Sequence, residues 1–153
     1  MKPGSFLASS ILLVGCGGSD SAAPITAHQV TGAWSYEIPD MQNGHGGVCV
    51  ITGSKIEFTQ TGTDVGGTLS GTVGQLNCTF PDGFVYKSKF YDYNVVLGRI
   101  DGDSISFNFN GPAWRNTGAF VMPDSIAGIV NNVFVIRGVQ YYWVGHFYSV
   151  RQS

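Results

Sequence analysis

The sequence predicts an all-β protein, a single antiparallel meander closed into a barrel of about eight to ten strands. Three observations carry that expectation. From His28 onward no stretch holds apolar residues at helical spacing for three turns without an interrupting Gly or Pro, whereas alternation with a period of two recurs. Turn-forming clusters punctuate the chain roughly every 8 to 12 residues, the spacing of a meander. Glycine, at 22 of 153 residues, sits among Thr, Ser, Val and Phe without collagen periodicity, the composition of short strands joined by tight turns.

Taken in order, the first strand reads Val30-Thr31-Gly32-Ala33-Trp34-Ser35-Tyr36-Glu37-Ile38. Next, Ile56 and Phe58 alternate with Lys55, Glu57 and Thr59, and further on Ile105, Phe107 and Phe109 alternate with Ser106, Asn108 and Asn110. The last strand is Val144-Gly145-His146-Phe147-Tyr148-Ser149-Val150-Arg151. Each has one polar and one apolar face. Turns are expected at Thr52-Gly53-Ser54, Thr61-Gly62-Thr63-Asp64, Pro81-Asp82-Gly83, Asp101-Gly102-Asp103, Pro123-Asp124-Ser125 and Asn131-Asn132. The stretches Gly53 to Phe58 and Gly102 to Phe107 share one grammar, a turn followed by a strand.

Composition narrows the function classes. Charged residues are 12%, about half the usual share. Eight basic against ten acidic residues leave no basic patch, which argues against nucleic acid or an anionic membrane surface as a partner. Hydrophobic residues at 43%, with ten Phe, seven Tyr and three Trp, are enough for a real core in one domain over 28–153. Catalysis needs convergent titratable groups. His28 stands at the start of the domain, His45 lies in the loop Asn43-Gly44-His45-Gly46-Gly47, and His146 alternates along a strand as a hydrogen-bonded sheet histidine. No metal-ligand spacing, nucleophile elbow or phosphate loop occurs, and Asp101-Gly102-Asp103 lacks the further ligands of a calcium loop. No enzyme activity, metal or cofactor is expected.

The N-terminal segment is different in kind. Lys2 precedes a short apolar run, Phe6 to Val14, which ends in small residues and is too short for a membrane span. This is a secretion signal. Its end, Leu13-Val14-Gly15-Cys16, resembles the lipobox of bacterial lipoproteins; a signal cut after Ala22 or Ala23 is the alternative. The resemblance implies that residues 1–15 are removed, that Cys16 is acylated, and that residues 16–27 form a flexible tether. Gly17, in place of Asp, implies sorting to the outer membrane, on its periplasmic or surface face, if the cell is Gram-negative. In an oxidising compartment Cys49 and Cys78 then most simply pair, two buried free thiols being the alternative.

Gly32-x-Trp34 on the first strand, together with Arg151 on the last, resembles the calycin superfamily of lipocalins and avidins. That resemblance implies a barrel whose first and last strands are neighbours, with Trp34 packed across a closed end beneath Arg151. A second lipocalin motif and room for a C-terminal helix are lacking. Inward aromatics in such a barrel either fill the lumen or line a cup for a small apolar ligand. The first functional reading is therefore a lipid-anchored envelope protein that binds a small apolar ligand, with Tyr86, Trp114 and Arg115 as contacts. The alternative is an envelope interaction or inhibitor module with a packed lumen, similar in architecture to barrel-shaped lysozyme-inhibitor lipoproteins.

Overall fold

The computed structural model describes residues 28–70, 74–89, 92–110 and 114–153. The signal, Cys16 and tether read at residues 1–27 lie outside the described residues, as do Phe90, Tyr91 and Gly111-Pro112-Ala113. The described residues form ten strands: β1 (Gly32–Asn43), β2 (Val48–Thr61), β3 (Asp64–Ser70), β4 (Gln75–Thr79), β5 (Val85–Lys89), β6 (Tyr93–Asp101), β7 (Ser104–Phe109), β8 (Trp114–Met122), β9 (Ser125–Ile136) and β10 (Val139–Val150).

Eight of these close into an antiparallel barrel, and β4 and β5 are two further strands beside it. Closure comes from β1, which pairs with β2 on one edge and β10 on the other. Joining first to last strand removes the unpaired edges that an open meander of this length presents to other chains. β3 and β4 both lie antiparallel to β2, end to end: Lys55 to Thr61 of β2 faces β3, and Val48 to Thr52 faces β4. β5 and β6 repeat the arrangement one strand over, so β4–β5 prolongs the β3–β6 pair beyond the barrel wall.

Gly53 marks the division. Thr52-Gly53-Ser54 reads as a turn in the sequence but is a bulge inside β2: Gly53 takes φ 70° and the β1–β2 register slips between Tyr36 and Ile38. Glycine occupies this left-handed conformation at no steric cost. The strand bends there and changes partner from β3 to β4. Of the two stretches read as turn followed by strand, only Asp101-Gly102-Asp103 sits between strands. Asn131-Asn132 is also no turn. Both residues lie within β9, Asn132 buried and Asn131 exposed, because Val130 and Val133 continue the alternation and β10 pairs along the whole stretch. The chain reverses instead at Arg137-Gly138, both with positive φ (53° and 76°), as a two-residue hairpin of the mirror-image type requires.

Inward positions fill the barrel. Trp34, Tyr36, Phe58, Phe107, Phe109, Trp114, Trp143 and Phe147 are all at most 3% exposed. Their rings meet mostly edge-on, Phe109 and Trp114 at 5.2 Å, Phe58 and Phe107 at 5.3 Å, Phe107 and Phe147 at 5.8 Å. Edge-to-face contact adds roughly 0.5–1.5 kcal/mol per pair to the area buried. Room for Phe147 comes from the paired Gly118 and Gly128: a Cβ on Gly128 would stand 2.6 Å from its ring, and one on Gly118 2.9 Å.

Cys49 of β2 and Cys78 of β4 are register partners and form a disulfide across 29 residues. The bond ties the prolonged hairpin to the strand that branches at Gly53. Replacing both cysteines by Ala is expected to lower unfolding free energy by about 3–4 kcal/mol, the chain-entropy value for a loop of this size. Urea denaturation of the two proteins, compared by midpoint and slope, checks it; equal midpoints would show that the tie contributes nothing.

Candidate functional site

The two barrel ends are built differently. At the end where β1 begins and β10 finishes, Arg151 lies over Trp34 with its Cζ 4.7 Å from the ring centroid. Its Nη1 donates to the Thr31 carbonyl at 2.8 Å, its Nη2 to the Gln29 carbonyl, and its Nε to Asp124 Oδ1 at 2.7 Å. Trp34 Nε1 donates to the Val30 carbonyl at 2.7 Å. The Gln60 side chain accepts from Val30 N at 2.8 Å and donates to the His28 carbonyl at 3.0 Å. His28 stacks on Phe120 at 3.9 Å and bonds Asp103 at 2.8 Å. Every donor of the guanidinium that has a partner here finds a carbonyl or a carboxylate, so this end is a seal.

Within the barrel a polar pair crosses the core. Tyr36 donates its hydroxyl to Asn116 Oδ1 at 2.6 Å, and Asn116 Nδ2 donates to the Phe107 carbonyl at 3.4 Å. Burial holds the Tyr36 phenol well above its ordinary range, and a hydrogen bond with Trp114 acts weakly the other way. The phenol stays neutral and serves as a donor. The signal in the sequence was Asn116 at an inward position of an alternating strand, which it shares with Trp114.

At the opposite end the β4–β5 hairpin meets the β9–β10 hairpin. Phe80 contacts Tyr141 at 5.4 Å and Trp143 at 6.0 Å, and Phe134 stacks flat on Trp143 at 5.0 Å. Arg137 from the β9–β10 turn lies 3.2 Å over the Phe84 ring and reaches Asp82 at 3.4 Å. The cleft between the hairpins has a volume of about 240 Å3 and is lined by Phe80, Phe84, Ile136, Arg137 and Tyr141. Beneath it, Asn132 Oδ1 and Trp143 Nε1, on register partners of β9 and β10, are buried without a protein partner among the described residues.

The three expected ligand contacts do not converge. Trp114 opens β8, points inward and is 3% exposed among Tyr36, Tyr93 and Phe109. Arg115, the next residue, therefore faces the outer surface, since successive side chains of a strand alternate. Tyr86 is half-buried on β5, opposite Cys78. Phe80, Phe84, Arg137 and Trp143 meet at this end because two hairpins distant in sequence carry them, a juxtaposition no linear pattern shows. Among the described residues no group of three His, Cys, Asp or Glu side chains could hold a metal. In comparisons with protein-family models, curated proteins and solved structures, nothing matches this chain.

His146 sits on the outer face of β10, where Asp40 accepts from its backbone N at 2.8 Å and meets its Nδ1 at 2.8 Å. The backbone hydrogen bond, then the ring contact, hold the Asp40 carboxyl below its ordinary value. A depressed carboxylate contributes stability above its unfolded pKa and loses it as the pH falls through the folded value. Asp40→Asn is expected to melt about 1–2 °C below wild type at pH 6, with the gap closing from about pH 4 downward, because both partners are exposed and screened. A gap that persists unchanged at pH 2 would assign the effect to something other than ionisation.

The seal gives a larger effect. Trp34→Ala is expected to cost about 3–5 kcal/mol and Arg151→Ala to lower the melting temperature by several degrees. Thermal melts of both variants decide whether this end closes the barrel; unchanged midpoints would mean that it does not.

Proposed function

We propose that this chain is a lipid-anchored cell-envelope protein that acts by surface contact with another protein, its calycin-like barrel serving as a packed scaffold. One observation carries the reading: the inward side chains of the barrel are large aromatic rings in contact with one another. A lumen filled this way leaves the outer surface and the hairpin end to do the work. The anchor is inferred from Leu13-Val14-Gly15-Cys16, and the disulfide fits an oxidising compartment. The calycin-like part of the reading is supported by the β1–β10 pairing and by Arg151 over Trp34.

A second reading, a small apolar ligand, is favoured only by the aromatic cleft between the hairpins. At about 240 Å3 it is smaller than the roughly 300–1,000 Å3 of ordinary ligand pockets. The two readings part in a titration. A soluble form starting at residue 16 with Cys16→Ser, mixed with an environment-sensitive apolar dye, is expected to show no saturable binding and no quenching of Trp emission. Saturable binding that quenches Trp would overturn the packed-scaffold reading. In cells, wild type is expected in the membrane fraction carrying a fatty-acid label, and Cys16→Ser without the label; an unlabelled wild type would remove the anchor.

A further inference from the structure

The outer wall of the barrel is two-sided. The outward register pairs of the β9–β10 ribbon run from Val135 with Gln140 to Ala127 with Tyr148, and each of them holds an apolar or aromatic side chain. None holds Lys, Arg, Asp or Glu. Tyr142 is 69%, Val144 52% and Tyr148 51% exposed, and Ile129, Val135 and Val150 are exposed with them. In the ring of strands closed by β1 and β2, β3 stands four places from β9. There the outward pairs with β2, from Ser70 with Lys55 to Asp64 with Thr61, hold no apolar side chain.

A contiguous apolar strip is costly to leave in water and marks a contact, unlike apolar residues scattered singly. Its charge pattern narrows what the contact is. His146 lies within the strip and meets Asp40 at 2.8 Å, and Arg115, opposite Asn131 on β8, is the cation at its border. The strip itself brings no Lys or Arg to an anionic headgroup. Whatever rests on it is held by Val, Ile and Tyr side chains, so the contact needs no anionic lipid.

The N-terminal chain leaves the domain at the end of the same strip. His28 stacks on Phe120 of β8 at 3.9 Å, and the Gln29 carbonyl is held by Arg151, the residue after β10. Val121 and Met122, exposed next to Phe120, prolong the strip to that point. Residues 16–27, twelve in number, span at most about 43 Å when fully extended. The 12 residues of β10 run for about 40 Å. An acyl chain on Cys16 therefore keeps a bilayer within roughly the strip's own length of the barrel. At the effective concentration that a short linker sets, a contact too weak to hold a free protein is occupied.

We infer that the β9–β10 strip, with Val121 and Met122 at its end, rests on the surface of a zwitterionic phospholipid bilayer, so that the anchored barrel lies on its side. This rests on the lipid-anchor part of the proposed function and names the face that the anchor turns to the membrane. Ile129, Val144 and Val150 meet the boundary of the acyl region. Tyr142 and Tyr148 place their rings there and keep their hydroxyls among the headgroups, as amphipathic aromatic side chains do at membrane interfaces. The polar β2–β3 face is turned to water.

The test takes the chain from residue 16, which holds every described strand, with Cys16 coupled through its thiol to a maleimide lipid in phosphatidylcholine bicelles. The face is then probed whether or not cells acylate the cysteine. Tyrosines carry 3-fluoro labels, assigned with Tyr142→Phe and Tyr148→Phe, and a lipid bearing a nitroxide near its headgroup is added. The Tyr142 and Tyr148 signals are expected to broaden at least about threefold more than a Thr68→Tyr probe on β3, since an interfacial face sinks roughly 5–10 Å into the headgroup boundary. High salt should leave the difference unchanged, because the contact is uncharged. Val144→Asp, at an exposed position, should bring both signals down to the level of the Thr68→Tyr probe. Equal broadening at all three probes, a difference lost in high salt, or no change in Val144→Asp overturns the contact. So does a concentration-dependent dimer of the lipid-free Cys16→Ser protein that Val144→Asp abolishes while both signals stay sharp in bicelles, which gives the strip to a second copy. The anchor fails separately: Cys16 without a fatty-acid label in cells removes it, and broadening in the coupled protein still upholds the strip as a lipid-contacting face.

Discussion

One strand is hydrogen-bonded on both edges along nearly all its length, and the rest of the architecture follows from how it shares those edges. β2 takes β1 on one side and, on the other, β3 and then β4. The change of partner falls at Gly53, whose left-handed φ lets the strand bulge without leaving the sheet. Without that bend, β4 would continue in line with β3 along one straight edge of β2. With it, the prolonged pair leans toward β10, and Phe80 reaches Tyr141 and Trp143. The disulfide sits on the same branch, one register pair on each side of which β2 and β4 are already bonded, so it holds the lean in place.

Closure and filling are coupled through size. An eight-strand barrel has an interior just wide enough for side chains to fill, and this one spends its inward positions on rings. Glycine then becomes necessary where a ring must lie flat, as Phe147 does over Gly118 and Gly128. The polar pair Tyr36 with Asn116 is tolerated in that interior because both groups find partners. A cup would need some of these rings replaced by smaller residues.

Much of this was legible in the sequence. Alternation around Ile56 and Ile105 gives the strand class directly, and turns at Gly62, Gly102 and Pro123-Asp124 fall where turn chemistry places them. The failures share a cause: local signals lose to the partner strand. Thr52-Gly53 has a turn residue, yet the chain is paired on both sides and can only bulge. Asn131-Asn132 has turn composition, yet β10 supplies partners through it. Arg137-Gly138 is the real reversal and was missed because Arg seldom takes positive φ. Cation–π contact with Phe84 and the ion pair with Asp82 compensate for that conformation, and both partners lie more than fifty residues away. Trp114 and Arg115 were expected as joint ligand contacts; one residue of offset along β8 sends them to opposite faces. The hairpin end has no linear signature at all.

The two ends of the barrel are built differently. Around Arg151 the partners are numerous and mutual: three carbonyls or carboxylates take the guanidinium, Trp34 Nε1 has its carbonyl, and β1 and β10 finish together. Ser125 Oγ, opposite Val150, is buried there without a partner among the described residues. At the other end the strands finish unevenly, because β10 runs past β1 while β2 branches away with β4 and β5. Uneven ends leave backbone groups, aromatic faces and cations whose partners come from elsewhere in the fold or from outside it. β5 guards its own edge with lysine and Arg137 is occupied by Phe84 and Asp82. What the described residues show at this end is the aromatic cleft between the two hairpins, with Asn132 Oδ1 and Trp143 Nε1 buried beneath it.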